Sequence, residues 1–146
     1  MKRTLRLAVL AVLASGCRTP ALPESREELA TLVGSNDLAV QGPAARKLEE
    51  LYGEAAVVAV LVGGNETARG RAAMALRDNP TANARASLAN ALNDESPNVR
   101  LKVLWSLKEV GLLEHLPAVA SCLDDVDTLV RQAASDAAAA IKARGR

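Results

Sequence analysis

The chain has almost no aromatic side chains, and this shortage limits how its core can be built. Phenylalanine is absent, and Trp105 and Tyr52 are the only aromatic residues among 146. Hydrophobic residues still make up 49% of the sequence, so the core has to consist of Ala, Leu and Val. Such small side chains suit helices that pack closely against helices and argue against a deep β-sandwich. The length corresponds to about one domain.

Residues that carry catalysis or bind metals are equally scarce. His115 is the only histidine, and Glu114 beside it points elsewhere on a helix, so we expect His115 at the surface without a catalytic partner. The sequence has no His-Glu-x-x-His motif, no cysteine pair and no P-loop. Asp124, Asp125 and Asp127 could hold a hard cation, but such a run more often caps a helix. We therefore expect no catalytic residue, no metal and no cofactor.

The first residues, MKRTLRLAVLAVLASGC, contain no apolar run long enough to span a membrane. Lys2, Arg3 and Arg6 form a basic region, and the apolar run that follows ends at Leu13. A spanning helix needs roughly 20 such residues. A basic region followed by a short apolar run is typical of a secretory signal peptide.

The segment LASGC at the end of this run resembles the lipobox of bacterial lipoproteins. In that family the bond before the cysteine is cut and the cysteine is acylated, which implies lipid attachment at Cys17. Ala14, Ser15 and Gly16 are suitably small, although Ala14 stands where Leu is more usual. The alternative is an ordinary signal peptide or an uncleaved anchor in which Cys17 is incidental. Arg18 is not the Asp that resembles an inner-membrane retention signal, so we expect the outer membrane of a bacterial envelope.

This interpretation divides the chain into a signal peptide (1–16), a lipidated tether (17–24) and a folded domain (25–146). Residues 1–16 carry three basic residues and no acidic ones, so their removal lowers the formal net charge from +1 to −2. Nucleic acid is then not an expected partner, because its recognition needs a basic footprint. Cys122 has no second thiol to pair with, and we expect it to be a small buried apolar group.

An internal repeat of 31 residues organises the folded domain. Leucine and arginine recur at this interval, at Leu61, Leu92 and Leu123 and at Arg69, Arg100 and Arg131. An earlier copy fits with a spacing of 28 residues. Four polar segments fall in register and are typical of turns with helix N-caps. They are GSND (34–37), GGNE (63–66), NDES (93–96) and DDVD (124–127).

The repeating unit is a helix, a turn and a second helix, present about four times. The first helices are expected near residues 25–33, 54–62, 82–92 and 114–123, and the second helices near residues 38–51, 66–77, 97–110 and 128–143. One such pair cannot bury its apolar faces alone. Stacking of the pairs produces a continuous core, as in an α-solenoid.

The segment DESPNVRLKVLWSLKEVG (94–111) resembles the second half of a HEAT repeat. The matching positions are Asp94, Pro97, Val99, Arg100, Leu107, Val110 and Gly111. The period is shorter than the roughly 40–47 residues usual for HEAT repeats and is similar to that of the short HEAT-like repeats named after phycobilin lyases. The resemblance implies an all-α, right-handed α-solenoid of about four HEAT-like helix pairs. It also implies that the recurring arginines pair with Asp residues between repeats.

Trp105 lies on the predicted helix 97–110, on the side opposite to the apolar face. At 100° per residue, Trp105 falls about 240° and Leu101 about 200° from Val99. Second helices line the concave side of HEAT-like arrays, so the resemblance implies that this side faces an open groove. The residues expected there are Trp105, Leu101, Met74, Lys108, Arg46 and Arg77. Exposed aromatic and Met side chains with a basic rim are typical of partner-binding surfaces. The alternative is that Trp105 lies flat between helices and covers a gap in Ala-rich packing.

Together these features predict a lipid-anchored, non-catalytic interaction scaffold or adaptor of the bacterial envelope, with a protein partner in the concave groove. An alternative is an accessory subunit or maturation factor of an enzyme, because the repeats that this chain resembles occur in bilin lyases. That class should show a polar cluster in the groove. A cytosolic regulator would require LASGC to be accidental.

Overall fold

The computed structural model describes residues 21–145, and within them every regular element is a helix. The first helices of the four pairs are α1 (Arg26–Val33), α3 (Glu54–Gly63), α5 (Ala82–Asn90) and α7 (Leu116–Ala120). The second helices are α2 (Leu38–Tyr52), α4 (Glu66–Asp78), α6 (Pro97–Val110) and α8 (Thr128–Arg144). Short 3-10 turns follow α5 (Ala91–Asn93) and precede α7 (Leu113–His115). The predicted all-α solenoid of four helix pairs is confirmed.

Each second helix begins at a side-chain cap supplied by one of the recurring polar segments. Asp37, Asn65, Ser96 and Asp127 each accept a hydrogen bond from a backbone N–H in the first turn of the helix that follows. Caps of this kind satisfy amide groups that have no partner within the helix. The predicted turns and N-caps are therefore confirmed, including the capping role of Asp127 in the acidic run.

Small and branched aliphatic side chains fill the core, as the shortage of aromatics requires. The largest fully buried side chains come from both helices of the pairs: Leu29, Leu48, Leu76, Leu88, Leu104, Leu107 and Ile141. Neighbouring second helices approach closely, and at Gly70 of α4 a Cβ atom would lie 2.6 Å from Cδ of Lys102 on α6. Cys122 is buried, as predicted, and burial raises the pKa of its thiol.

The recurring arginines fasten each repeat to the next through aspartates in the following turn. Arg69 donates from Nε and Nη2 to the carboxylate of Asp94, at 2.7 and 2.9 Å. One repeat later, Arg100 makes the same contacts with Asp125, at 2.7 and 2.8 Å. Bidentate pairs of this kind fix geometry as well as energy. The structural role implied for these arginines by the HEAT resemblance is confirmed at both boundaries.

The first repeat departs from this scheme because Gln41 stands where the later repeats have arginine. Its Nε2 donates to the carbonyl of Ser35, six residues back, at 2.9 Å. Arg100 makes the equivalent contact with the carbonyl of Asp94, also six residues back, at 2.8 Å. Glutamine thus retains the arginine's contact with its own turn, and its Oε1 accepts hydrogen bonds from Arg71 of α4.

The expectation that His115 lies at the surface is wrong. Only 6% of the residue is exposed. The backbone N–H of Leu112 donates to its Nδ1 at 3.1 Å, so the imidazole closes the 3-10 turn that precedes α7. The sequence suggested exposure because His115 follows the exposed Glu114, but the turn directs the two side chains differently.

The end of the expected tether lies against the folded domain. Lys47 of α2 donates from Nζ to the carbonyl of Leu22 at 2.8 Å, and the Tyr52 hydroxyl donates to the carbonyl of Glu24 at 2.6 Å. Leu22 is half-buried and packs on the core. The signal peptide, Cys17 and the first tether residues lie outside the described range, and the division at residue 25 stays a prediction. No helix among residues 21–145 is long and apolar enough to cross a bilayer.

Candidate functional site

Trp105 occupies an exposed position on an otherwise well-packed helix. Its neighbours Leu104 and Ser106 are fully buried, whereas 48% of Trp105 is exposed. The other half of its surface is covered by protein. Trp105 is therefore not a core residue, yet it is held firmly enough to present the indole in a defined place.

An open depression of about 560 Å³ surrounds the indole. It is lined by Arg77, Trp105, Lys108, Glu109 and Val110, and these five residues are called the Trp105 surface below. Arg77 comes from α4 and the others from α6. The surface thus spans two neighbouring second helices, whose relative position is fixed by the buried core between them.

The cations of the Trp105 surface are held only by exposed ion pairs. Arg77 donates to Asp78 at 3.0 Å, and Lys108 Nζ lies 3.8 Å from a carboxylate oxygen of Asp136 on α8. Exposed pairs contribute about 0–1 kcal/mol. Both cations can therefore turn towards a carboxylate of a partner at little cost, with Glu109 as the one acidic group in the lining.

The structure gathers three of the six predicted partner-binding residues around this depression. Leu101 lies one turn before Trp105, but it is half-buried and packs against the core. Met74 is half-buried on α4, and Arg46 is exposed on α2, two second helices away from Trp105. None of these three residues lines the depression.

Sequence reasoning missed two residues of the lining, Glu109 and Val110. The helical projection assigns Val110 to the buried face, but α6 ends there and the residue is half-exposed. Two arginines bind carbonyl groups at this helix end. Arg85 donates from Nε to the carbonyl of Val110 at 2.8 Å, and Arg144 donates to those of Lys108 and Gly111 at 2.6 and 2.9 Å. The predicted end of the helix at residue 110 was the available signal for this exposure.

Acidic residues near the turns have structural partners. Asp125 pairs with Arg100, and Asp127 caps α8. Among residues 21–145, no group of three or more His, Cys, Asp or Glu side chains is placed to hold a metal ion. The Trp105 surface offers one indole, two cations and an aliphatic edge, which can bind an apolar side chain next to a negative charge.

Four stacked helix pairs, aspartate-paired arginines between repeats and an exposed indole on the second helices define a helical repeat protein of the HEAT-like class. A protein-family model described as HEAT repeats matches residues 54–139, which is more than half of the chain. The chain belongs to the HEAT-repeat family. No curated protein matches it. HEAT repeats are generally scaffolds for protein interactions.

Proposed function

We propose that this protein is a non-catalytic interaction scaffold, anchored by lipid at Cys17 in a bacterial envelope, that binds a protein partner through the Trp105 surface. The exposed half of Trp105 is the observation that carries the proposal. A chain with one tryptophan and no phenylalanine gains little fold stability from leaving the indole in water. Tryptophan is, however, the residue type most enriched among binding hot spots.

The second helices are proposed to form the concave side, as in other HEAT arrays, with the Trp105 surface at its centre. The closer packing of α4, α6 and α8 against one another than of α3, α5 and α7 supports this side as the inner one. The cationic rim of Arg77 and Lys108 favours a partner segment that is apolar with an adjacent carboxylate.

A photo-crosslinking amino acid at position 105 tests the binding surface in cells that express the full chain. We expect one dominant adduct, absent when the same group replaces Ala86, which is exposed on α5 in the other helix layer. Trp105→Ala should then lose the partner while the thermal midpoint changes little. Val62→Ala is the matched control, because Val62 is also an exposed apolar residue but lies on α3. Equal adducts at positions 86 and 105 would count against the proposal.

Fatty-acid labelling tests the anchor separately. The wild-type chain should incorporate labelled fatty acid and partition with membranes, whereas Cys17→Ser should do neither and should retain its leader. More than one acyl chain is needed for stable anchoring, so loss of the attachment site should release the protein. A Cys17→Ser chain that stays membrane-bound and is cleaved as before would contradict lipid attachment.

A further inference from the structure

The arginine that ends the ladder, Arg131, has its own turn contacts but no aspartate. It donates from Nη1 to the carbonyls of Asp125 and Val126, at 2.6 and 3.1 Å. Arg100 contacts its own turn in the same way. The other side of the Arg100 guanidinium is filled by a carboxylate from the next repeat. At Arg131, Nη2 reaches only the hydroxyl of Thr128, and Nε has no partner among residues 21–145.

A leucine near this arginine is exposed although its counterparts are buried. Leu61 and Leu92 are each 3% exposed, while Leu123 is 41% exposed. All three occupy the same position of the 31-residue repeat. The edge of the fourth repeat therefore presents an apolar residue and a pre-positioned guanidinium that earlier repeats cover with the next repeat.

We propose that this edge, formed by Leu123 and Arg131, binds a helical turn of another protein that carries an aspartate two residues before its helix N-cap. The occupant is inferred from the chain itself. Asp94 and Asp125 stand two residues before the caps Ser96 and Asp127, and each accepts a hydrogen bond from the backbone N–H of that cap, at 2.8 and 2.9 Å. That geometry turns both carboxylate oxygens towards the arginine of the preceding repeat.

A second copy of this chain does not provide the required group. Its first turn has Ser35 at the position of Asp94 and Asp125. The second repeat likewise has Gly63 at this position, and the preceding ladder residue there is Gln41 instead of arginine. Arginine and aspartate thus occur together at the two boundaries that have them. The unfilled Arg131 calls for a carboxylate from outside.

The contact is confined to the turn end of the edge. Ser135 on the outer side of α8 stands where α6 has the fully buried Leu104, so a partner gains little by packing along the whole helix. A turn that brings one carboxylate and one apolar side chain fits this surface, and charge pairing with Arg131 provides its selectivity.

A labelled peptide tests this contact in trans. The probe is a synthetic peptide of residues 113–146 with fluorescein at its N-terminus, which carries Asp125 in the required position. Titration with the full chain should give saturable binding, followed by fluorescence anisotropy. Binding should weaken about tenfold or more for the Asp125→Asn peptide and for the Arg131→Gln chain. Glutamine is the matched replacement, because Gln41 keeps the contact with its own turn.

The Trp105→Ala chain should bind the peptide as the wild type does, which separates this proposal from that for the Trp105 surface. Equal affinity of the two peptides would overturn it. A peptide that displaced the fourth repeat of the chain would bind the Arg131→Gln chain undiminished, and that result also contradicts the proposal.

A covalent version covers the case in which the free peptide does not fold. A second copy of residues 114–144 is inserted after Arg144, which places an aspartate opposite Arg131. The added repeat should increase the helical circular dichroism and raise the thermal midpoint. Arg131→Gln should lower the midpoint of the extended chain but leave that of the natural chain nearly unchanged. An unfolded added repeat, or equal effects in both chains, would refute the edge as a binding site.

Discussion

Arg100 and Asp125 form a bidentate ion pair that joins the third repeat to the fourth. Only 12% of the arginine side chain and 9% of the aspartate side chain are exposed. The same guanidinium also donates to the carbonyls of Asp94 and Glu95 in its own turn. One side chain therefore fixes the shape of its own turn and the position of the next, which explains why the turns remain in register along the array.

Removal of the carboxylate should destabilise the fold strongly. Asp125→Asn leaves the Arg100 charge nearly buried without its partner, and breaking such a pair costs about 3 kcal/mol or more. Chemical denaturation measures the free energy of unfolding. Arg131→Gln is the control, because no described carboxylate pairs with Arg131, and it should cost about 0.5 kcal/mol or less. Equal losses for the two variants would show that the carboxylate is not the stabilising partner.

Acid should weaken the array through the same aspartates. Burial acts to raise the pKa of Asp94, but hydrogen bonds from Arg69 and from the Ser96 amide outweigh it and leave that pKa below its usual value. The hydrogen bonds of Arg100 are the main cause of the lowered pKa of Asp125. Both groups bind fewer protons folded than unfolded, so their stabilisation is complete above the unfolded pKa and is lost as pH falls through the folded value.

The thermal midpoint should therefore fall between about pH 5 and pH 2, and it should fall less steeply for Asp125→Asn than for the wild type. Glu66→Gln is a useful comparison. The hydrogen bond from Asn98 lowers the pKa of Glu66, but this carboxylate is in solvent, so its share of the acid sensitivity should be smaller. Parallel curves for wild type and Asp125→Asn would rule out the aspartate as a source of the pH dependence.

The positions of the helices were predictable because local signals repeat. Asp37, Asn65, Ser96 and Asp127 cap the second helices at fixed places in the repeat, so the caps and the apolar period predicted the same boundaries. The predicted second helix of the third pair, 97–110, agrees with the observed α6 at both ends. The pairing of arginines with aspartates followed from the HEAT resemblance.

Contacts between repeats were less predictable, because one helix in isolation does not contain them. A helical projection of α6 indicates its apolar side, yet it missed that Leu104 is fully buried between second helices and that Leu101 is half-buried. His115 was misplaced because its burial depends on a 3-10 turn. The contacts of Leu22 and Glu24 with α2 depend on Lys47 and Tyr52, more than 20 residues later, and no sequence pattern marks them.

The turn between α2 and α3 should depend on glycine for its backbone conformation. Gly53 has a φ of 74°, in a region that other residues rarely adopt, although a Cβ there would meet nothing within 4 Å. Gly53→Ala should therefore cost about 1 kcal/mol from backbone strain alone. Gly63 is the matched control, since it ends α3 with equally open space and without a positive φ. Gly63→Ala should be neutral or slightly stabilising, and thermal midpoints compare the two. Equal effects at both positions would exclude backbone strain at Gly53.

Two adjacent residues of α6 should separate packing from recognition. Leu104 is fully buried between second helices, so Leu104→Ala should lower the free energy of unfolding by about 3 kcal/mol through the cavity that it leaves. Trp105 is half-exposed, and Trp105→Ala should cost about 1 kcal/mol. Chemical denaturation of the two variants under one set of conditions makes the comparison. If truncation of Trp105 costs as much as truncation of Leu104, the indole supports the fold, and the unusual placement of the only tryptophan no longer indicates a binding surface.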